Sequence, residues 1–331
     1  MTLIRVPGDR LPDHAGERHA RLRHYFCDKD ACATRIGAEW ELNLYWSGGG
    51  GRHVDPRLEE GLAAWGGISE DEMWRARSRS GRVLTSLYDS WTLFAWSEWL
   101  SSRVDVLSGP LTVLHVDDHR DIGPPRLFLG HDGWIDPLTA SAFDVMDPVS
   151  VESAIASGAI GMGSFLTAFL HRFPDTVVRQ LTQAPKVTKT QDYRLELEFV
   201  ADDLIAPDQV RPSAELRFPS EADIPTYRIT DDLVRWLENL PSGPILLHID
   251  MDHFSNRYDG DGDWQGRSAA LDPPLDTVLD HIAALGSALR SNGLFPRIVS
   301  AVVAYSPGFF PAEYWHPADV ALRTALSELY A

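Results

Sequence analysis

The chain has 331 residues, 44% of them apolar, a formal net charge of -18 and two cysteines. That surplus of acid excludes tracking of a nucleic-acid backbone and favours a cationic ligand. Cys27 and Cys32, with no second pair, make neither a disulfide framework nor a zinc-finger spacing. No segment carries the run of about eighteen uncharged apolar residues that a membrane span needs, and the leading "MTLIRVPGDRLPDHAGERHARLRHYF" lacks a signal-peptide core. A globular cytoplasmic protein is expected, with a homo-oligomer left open.

In chain order, residues 1–84 read as an irregular entry segment packed on or covering the rest, and residues 85–331 as the main domain, the two forming one structural unit. The entry segment holds a β-ribbon in "ATRIGAEWELNLYW" and a mobile glycine-rich loop, "SGGGGRHVDP". That loop lacks the Gly-Lys-Ser/Thr ending of a phosphate cradle. Leu84 to Leu100 has helical spacing, with Asp89 or Ser90 as its cap and Trp91, Phe94, Trp96 and Trp99 as core. "LTVLHVD" (Leu111 to Asp117) reads as a fully buried strand, short, apolar and rich in branched residues, of the kind that parallel sheets cover on both faces. "SVESAIASGAIGMGSFLTAFLHRF" is helical with a turn at its glycines, "YRLELEFV" alternates as a strand, and "TDDLVRWLENL" begins a helix at a threonine cap. A second buried strand, Gly243 to Asp252, is followed by a helix ("TVLDHIAALGSALRSNG"), a third apolar strand ("RIVSAVVAYSP") and a closing helix ("ADVALRTALSELY"). Helices alternating with apolar strands predict an α/β fold whose mostly parallel sheet has helices on both faces and its site at the carboxyl ends of the strands.

Two of those strands end in acid. Residues two apart on an extended chain share a face, so Asp117, His119 and Asp121 meet at the first strand end, and Asp250 and Asp252 at the second. Carboxylates gathered without compensation are forced to hold protons. Two divalent ions, carrying about four positive charges against about four negative ones, relieve this instead. Oxygen ligands with one or two imidazoles suit manganese, then ferrous iron.

"DDHRD" resembles the Asp-x-His-x-Asp motif of the ureohydrolase, or arginase, superfamily, and "DMD" its later Asp-x-Asp. "GAIGMGSFL", "GPILLHIDMDHF" and "SPGFFP" resemble the peptide arginase branch, which converts arginine residues of ribosomal precursor peptides to ornithine. The resemblance runs from about residue 85 onward. It implies a three-layer arginase/deacetylase-like fold, two Mn2+ ions, an arginine-containing precursor peptide as partner, and release of urea by attack of a metal-bound hydroxide on the guanidinium carbon. Asp117 and Asp250 would bridge the ions, Asp121 would complete the first and pass a proton to the leaving amine, and His119 and Asp252 would complete the second. Arginases supply one more histidine where this chain has "LYDSW". Either Asp89 or Ser90 substitutes, or the first ion is weakly held, or one ion suffices.

His131 is a candidate proton shuttle, and Glu313 in "FFPAEYW" a candidate partner for the substrate guanidinium. "RYDGDGDW" lacks the glycine and glutamate of an EF-hand and reads as an exposed turn, with contact to a basic peptide as the alternative. His115 and His248, each two residues before an aspartate, are expected to pack beside the ligands or support them. Three other readings remain. A small-molecule guanidino hydrolase would show a Gly-Gly-Asp-His segment, a deacetylase a His-His pair, and this chain has neither; a degenerate metal-binding interaction module would show no turnover.

Overall fold

Short apolar runs with branched residues become the interior of a nine-stranded sheet. The computed structural model describes residues 4–47, 53–103, 110–220, 223–260 and 263–331. In chain order it contains β1 (Ile4–Pro7), α1 (Ala15–Phe26), β2 (Asp30–Ile36), β3 (Glu39–Tyr45), α2 (Leu58–Ala64), β4 (Arg77–Ser80), β5 (Val83–Ser86), α3 (Trp91–Ser101), β6 (Thr112–Val116) and β7 (Phe128–Gly130). There follow β8 (Gly133–Asp136), β9 (Ser141–Phe143), α4 (Pro148–Ser157), α5 (Phe165–Arg172), β10 (Val177–Leu181), β11 (Gln191–Ala201), β12 (Val210–Arg217) and β13 (Tyr227–Thr230). The chain ends with α6 (Leu233–Leu237), β14 (Ile245–Asp250), α7 (Leu275–Ser291), β15 (Ile298–Ala304), α8 (Trp315–Ala325) and α9 (Ser327–Tyr330).

The main sheet runs β12-β11-β13-β10-β6-β14-β15-β5-β4. Its six central strands, β13 to β5, are parallel, and the antiparallel pairs lie toward its edges. β6 and β14 stand side by side in the middle, with His115 opposite His248 and every residue of both strands buried. Side chains on both faces of such strands leave water, at roughly 1.5–3 kcal/mol for each Val, Leu or Ile. Helices α3, α4 and α5 pack together, and α6, α7 and α8 form a second group. The result is a mixed α/β fold with a large, mostly parallel central sheet.

The predicted ribbon is the β2-β3 hairpin, turning at Gly37 with φ +61, and β1 adds a third strand. The predicted break at the glycines is also present: α4 stops at Gly158 with φ +88, and α5 starts at Phe165.

Three expectations need correction. The helix from Leu84 begins only at Trp91, because Val83–Ser86 is a buried strand paired with β15; apolar burial there outweighs helical spacing. A boundary at residue 84 therefore falls inside β5 of the main sheet. The helix in "TDDLVRWLENL" shrinks to five residues, since Thr230 ends β13 and Asp232 is the cap, accepting from Val234 N and Arg235 N. Of the loop "SGGGGRHVDP", residues 48–52 lie outside the described residues, while Asp55 is buried and accepts from Tyr258 Oη (3.0 Å) and Ala312 N (2.7 Å).

Candidate metal centre

The alternation of β6 puts His115 and Asp117 on one face, and β14 does the same for His248 and Asp250. The imidazoles of His115 and His248 stack across the two strands at 5.0 Å and 21°. His248 Nδ1 meets Thr92 Oγ1 at 2.8 Å, and its Nε2 meets Asp117 Oδ2 at 3.1 Å. With the threonine hydroxyl donating to Nδ1, the imidazole N–H at Nε2 donates to the carboxylate. Burial pushes His248 down to about 3 and His115 down to about 4, so both are neutral. His248 thus holds the Asp117 carboxylate without adding positive charge, while His115 Nε2 donates to the carbonyl of His119 at 3.1 Å.

Beyond the strand ends the chain turns sharply. Asp121 adopts φ +54, a left-handed conformation that aspartate tolerates better than most residues, and its Oδ2 comes within 3.7 Å of His115 Nε2. Asp250 Oδ2 accepts from Ser306 Oγ at 2.6 Å, and Asp252 Oδ1 accepts from Asp118 N at 3.2 Å. His119 Nδ1 stands 2.8 Å from Asp252 Oδ2 and 3.8 Å from Asp117 Oδ1.

Three overlapping groups of ligand atoms, each within 4.8 Å of one another, can hold a metal ion: His115, Asp117, Asp121 and His248; Asp89, Asp117, His248 and Asp250; and Asp117, His119 and Asp252. Asp117 is common to all three. The electrostatics fit a cation. Burial, and then neighbouring carboxylates, hold Asp89, Asp121 and Asp250 well above the usual aspartate range, while burial lifts Asp252 to about 6 against the pull of His119. Asp89 Oδ1 and Asp121 Oδ2 are buried and accept no hydrogen bond among the described residues. Orphaned buried oxygens in an acid cluster are the donors that a hard divalent ion satisfies. Asp89, His119, Asp121, Asp250, Asp252, Ser306 and Phe309 line a cavity of about 250 Å³, together with Met162 and Gly163 of the glycine-rich turn.

Asp89 belongs to one of these groups and lines the cavity, whereas Ser90 is the N-cap of α3 and does not line it. His131 is elsewhere. It sits in the turn between β7 and β8, is 96% exposed, and pairs with its neighbour Asp132. Glu313 does not line the cavity either; its Oε1 accepts from Arg257 Nη1 at 2.6 Å.

The acidic loop holds a residue whose part was not foreseen. Asp259 is no exposed turn residue; its Oδ1 meets His119 Nε2 at 3.0 Å and accepts from Asn256 Nδ2 at 3.0 Å, while Arg267 Nη1 donates to its Oδ2 at 2.5 Å. Although burial opposes it, these partners and Lys186 hold Asp259 far below the usual carboxylate range. Burial would lower His119 as well, but Asp252, Asp259 and Asp117 outweigh it and raise its pKa. Asp259 thus fixes the ring that turns Nδ1 toward Asp252. No local motif announces this contact between positions 140 apart. Asp261 lies outside the described residues.

The sequence matches no protein-family model, and no curated protein matches it significantly.

Proposed function

We propose that this chain is a manganese-dependent amidinohydrolase of the arginase/deacetylase-like three-layer fold, converting arginine residues of a precursor peptide to ornithine with release of urea. One observation carries the reading: carboxylates from three separate strand ends converge with His119 on one cavity, and buried oxygens of Asp89 and Asp121 have no hydrogen-bond donor among the described residues. Asp89, Asp117, His119, Asp121, Asp250 and Asp252 would hold the ions. When bound, the ions supply a water-derived nucleophile near neutral pH and neutralise the buried acids.

The remaining work falls to the chain itself. His248 fixes Asp117 Oδ2, and Ser306 fixes Asp250 Oδ2. Asp259 fixes His119. Asp121 faces the cavity and would hand a proton to the departing amine, so that water adds across the C–N bond and leaves ornithine and urea. Phe309 closes edge-on over His119 at 5.4 Å and limits water around the leaving group.

The test is urea release, with ornithine identified by mass, from an arginine-containing peptide and from free arginine, after chelation and again with manganese added. Peptide-dependent, manganese-dependent urea is the expected result. Urea from free arginine alone would replace the peptide with a small guanidino substrate, and no urea at any metal loading would leave a metal-binding interaction module.

A further inference from the structure

Gly163 lines a second cavity besides the metal one. This cavity, of about 200 Å³, is bounded by Arg21, His24 and Tyr25 of α1, by Arg126, and by Arg211 of β12. Three arginines in one hollow are conspicuous in a chain with a net charge of -18. Two of them are buried, Arg126 at 4% and Arg211 at 8% exposure, and their guanidinium carbons lie 5.8 and 5.0 Å from the centroid of the Tyr25 ring.

The local acids do not use up this charge. Asp202 accepts from Tyr25 Oη at 2.5 Å and from the backbone N–H groups of Leu204, Ile205 and Ala206, and it meets only Nε of Arg211, at 3.3 Å. Asp203 is 58% exposed and stands 3.3 Å from Arg21 and 3.9 Å from Arg211. Arg126 donates from Nε to the carbonyl of Tyr25 and from Nη2 to Cys27 Sγ, whereas Arg211 Nε is buried and makes no hydrogen bond among the described residues. Buried guanidinium donors with nothing to bond are costly unless an anion arrives, and paired guanidiniums match the planar fork of a carboxylate.

We infer that this cavity is a subsite for an acidic residue of the peptide, flanking the arginine whose side chain enters the metal cavity. The inference rests on the proposed peptide arginase reading for the identity of that arginine. The two cavities share Gly163 as a wall, and its missing side chain leaves open space there. Because the cavities adjoin at Gly163 and an extended chain advances about 3.3–3.6 Å per residue, spacings of roughly one to three residues between acid and arginine are the ones to compare.

The test uses the full-length chain and labelled peptides with one arginine and either glutamate or glutamine one to three residues away. Binding is followed by fluorescence anisotropy with chelator present, and urea release is measured separately with manganese. The wild type is expected to bind the best glutamate peptide about tenfold more tightly than its glutamine twin. His24→Glu, an exposed change, and Arg211→Gln are each expected to erase that preference while leaving the glutamine peptide's affinity unchanged; should Arg211→Gln fail to fold, His24→Glu still decides. Equal binding of the twins by the wild type overturns the inference, and so does a preference that survives both variants. Saturable stabilisation by inorganic phosphate without peptide preference also overturns it, assigning the cavity to a free anion. A preference lost in His24→Glu but unaccompanied by urea from any peptide upholds the subsite and removes the arginase reading instead.

Discussion

Replacing Asp250 by asparagine should make the metal-free protein more stable at pH 8 and the metal-loaded protein less so. The ligand atoms of Asp89, Asp117 and Asp250 lie within 4.8 Å of one another, and at an effective dielectric of about 20 one ionised pair at that distance repels by roughly 3.5 kcal/mol. Asparagine removes one such repulsion and weakens the hydrogen bond from Ser306, for about 1 kcal/mol. The net gain is about 2–3 kcal/mol. At about 2.1 cal/mol/K of unfolding entropy per residue, this raises the melting temperature by about 3–4 °C in chelator.

The sign depends on pH. Asp250 has its folded pKa well above the unfolded value near 3.9, so the metal-free wild type is relieved of repulsion below that value. It loses stability as pH rises through the folded pKa values of the cluster, which include Asp252 at about 6. The advantage of the variant should vanish near pH 4 and grow toward pH 8. Manganese at about a thousand times its dissociation constant adds about 4.1 kcal/mol to the wild type and nothing comparable to the variant, so the two melting curves exchange order. Thermal denaturation by circular dichroism, with chelator and with manganese, reads this directly. A variant less stable than the wild type in chelator at pH 8 would refute the claim that crowded carboxylates cost the fold stability.

Asp89→Ala should lower manganese affinity at least tenfold by calorimetry, whereas Ser90→Ala should leave it unchanged; equal effects would return the missing ligand to Ser90. Asp259→Ala should weaken metal binding by about 10–100-fold with the fold intact, as removal of a carboxylate behind a metal-bound histidine does elsewhere, and full affinity would mean that His119 needs no support. His131→Ala should leave urea release from a peptide unaltered, because the side chain is solvent-exposed; a large fall would show that the β7-β8 turn reaches the site.

Much of the site was legible because its spacing is local. Asp117 and Asp250 close two strands that had to be buried, so strand geometry places them, whereas His119, Asp121 and Asp252 reach the cluster through the turns that follow, with Asp121 at φ +54. The same logic located β6, β14 and β15. It failed where tertiary context decides. Val83–Ser86 could not be told from a helical turn until its partner β15 was known, and β12 and β13 take their places through pairing with β11. Asp259, Thr92 and Ser306 meet the ligands from distant positions, and nothing in their own neighbourhoods distinguishes them. His131 and Glu313 were placed by proximity in sequence, which says little about a loop residue's direction.

The pairing of β6 with β14 has a consequence for the newly made chain. The bond from Asp118 N to Asp252 joins positions 134 apart. At about 5–20 residues per second, the ribosome needs roughly 7–27 s to supply the second acidic strand after the first has emerged. During that interval Asp117 and its neighbours have no β14 beside them and no complete set of ligands. An ion can therefore be held by the complete cluster only late in the life of each molecule, and a chain interrupted before Asp250 carries half of the candidate site.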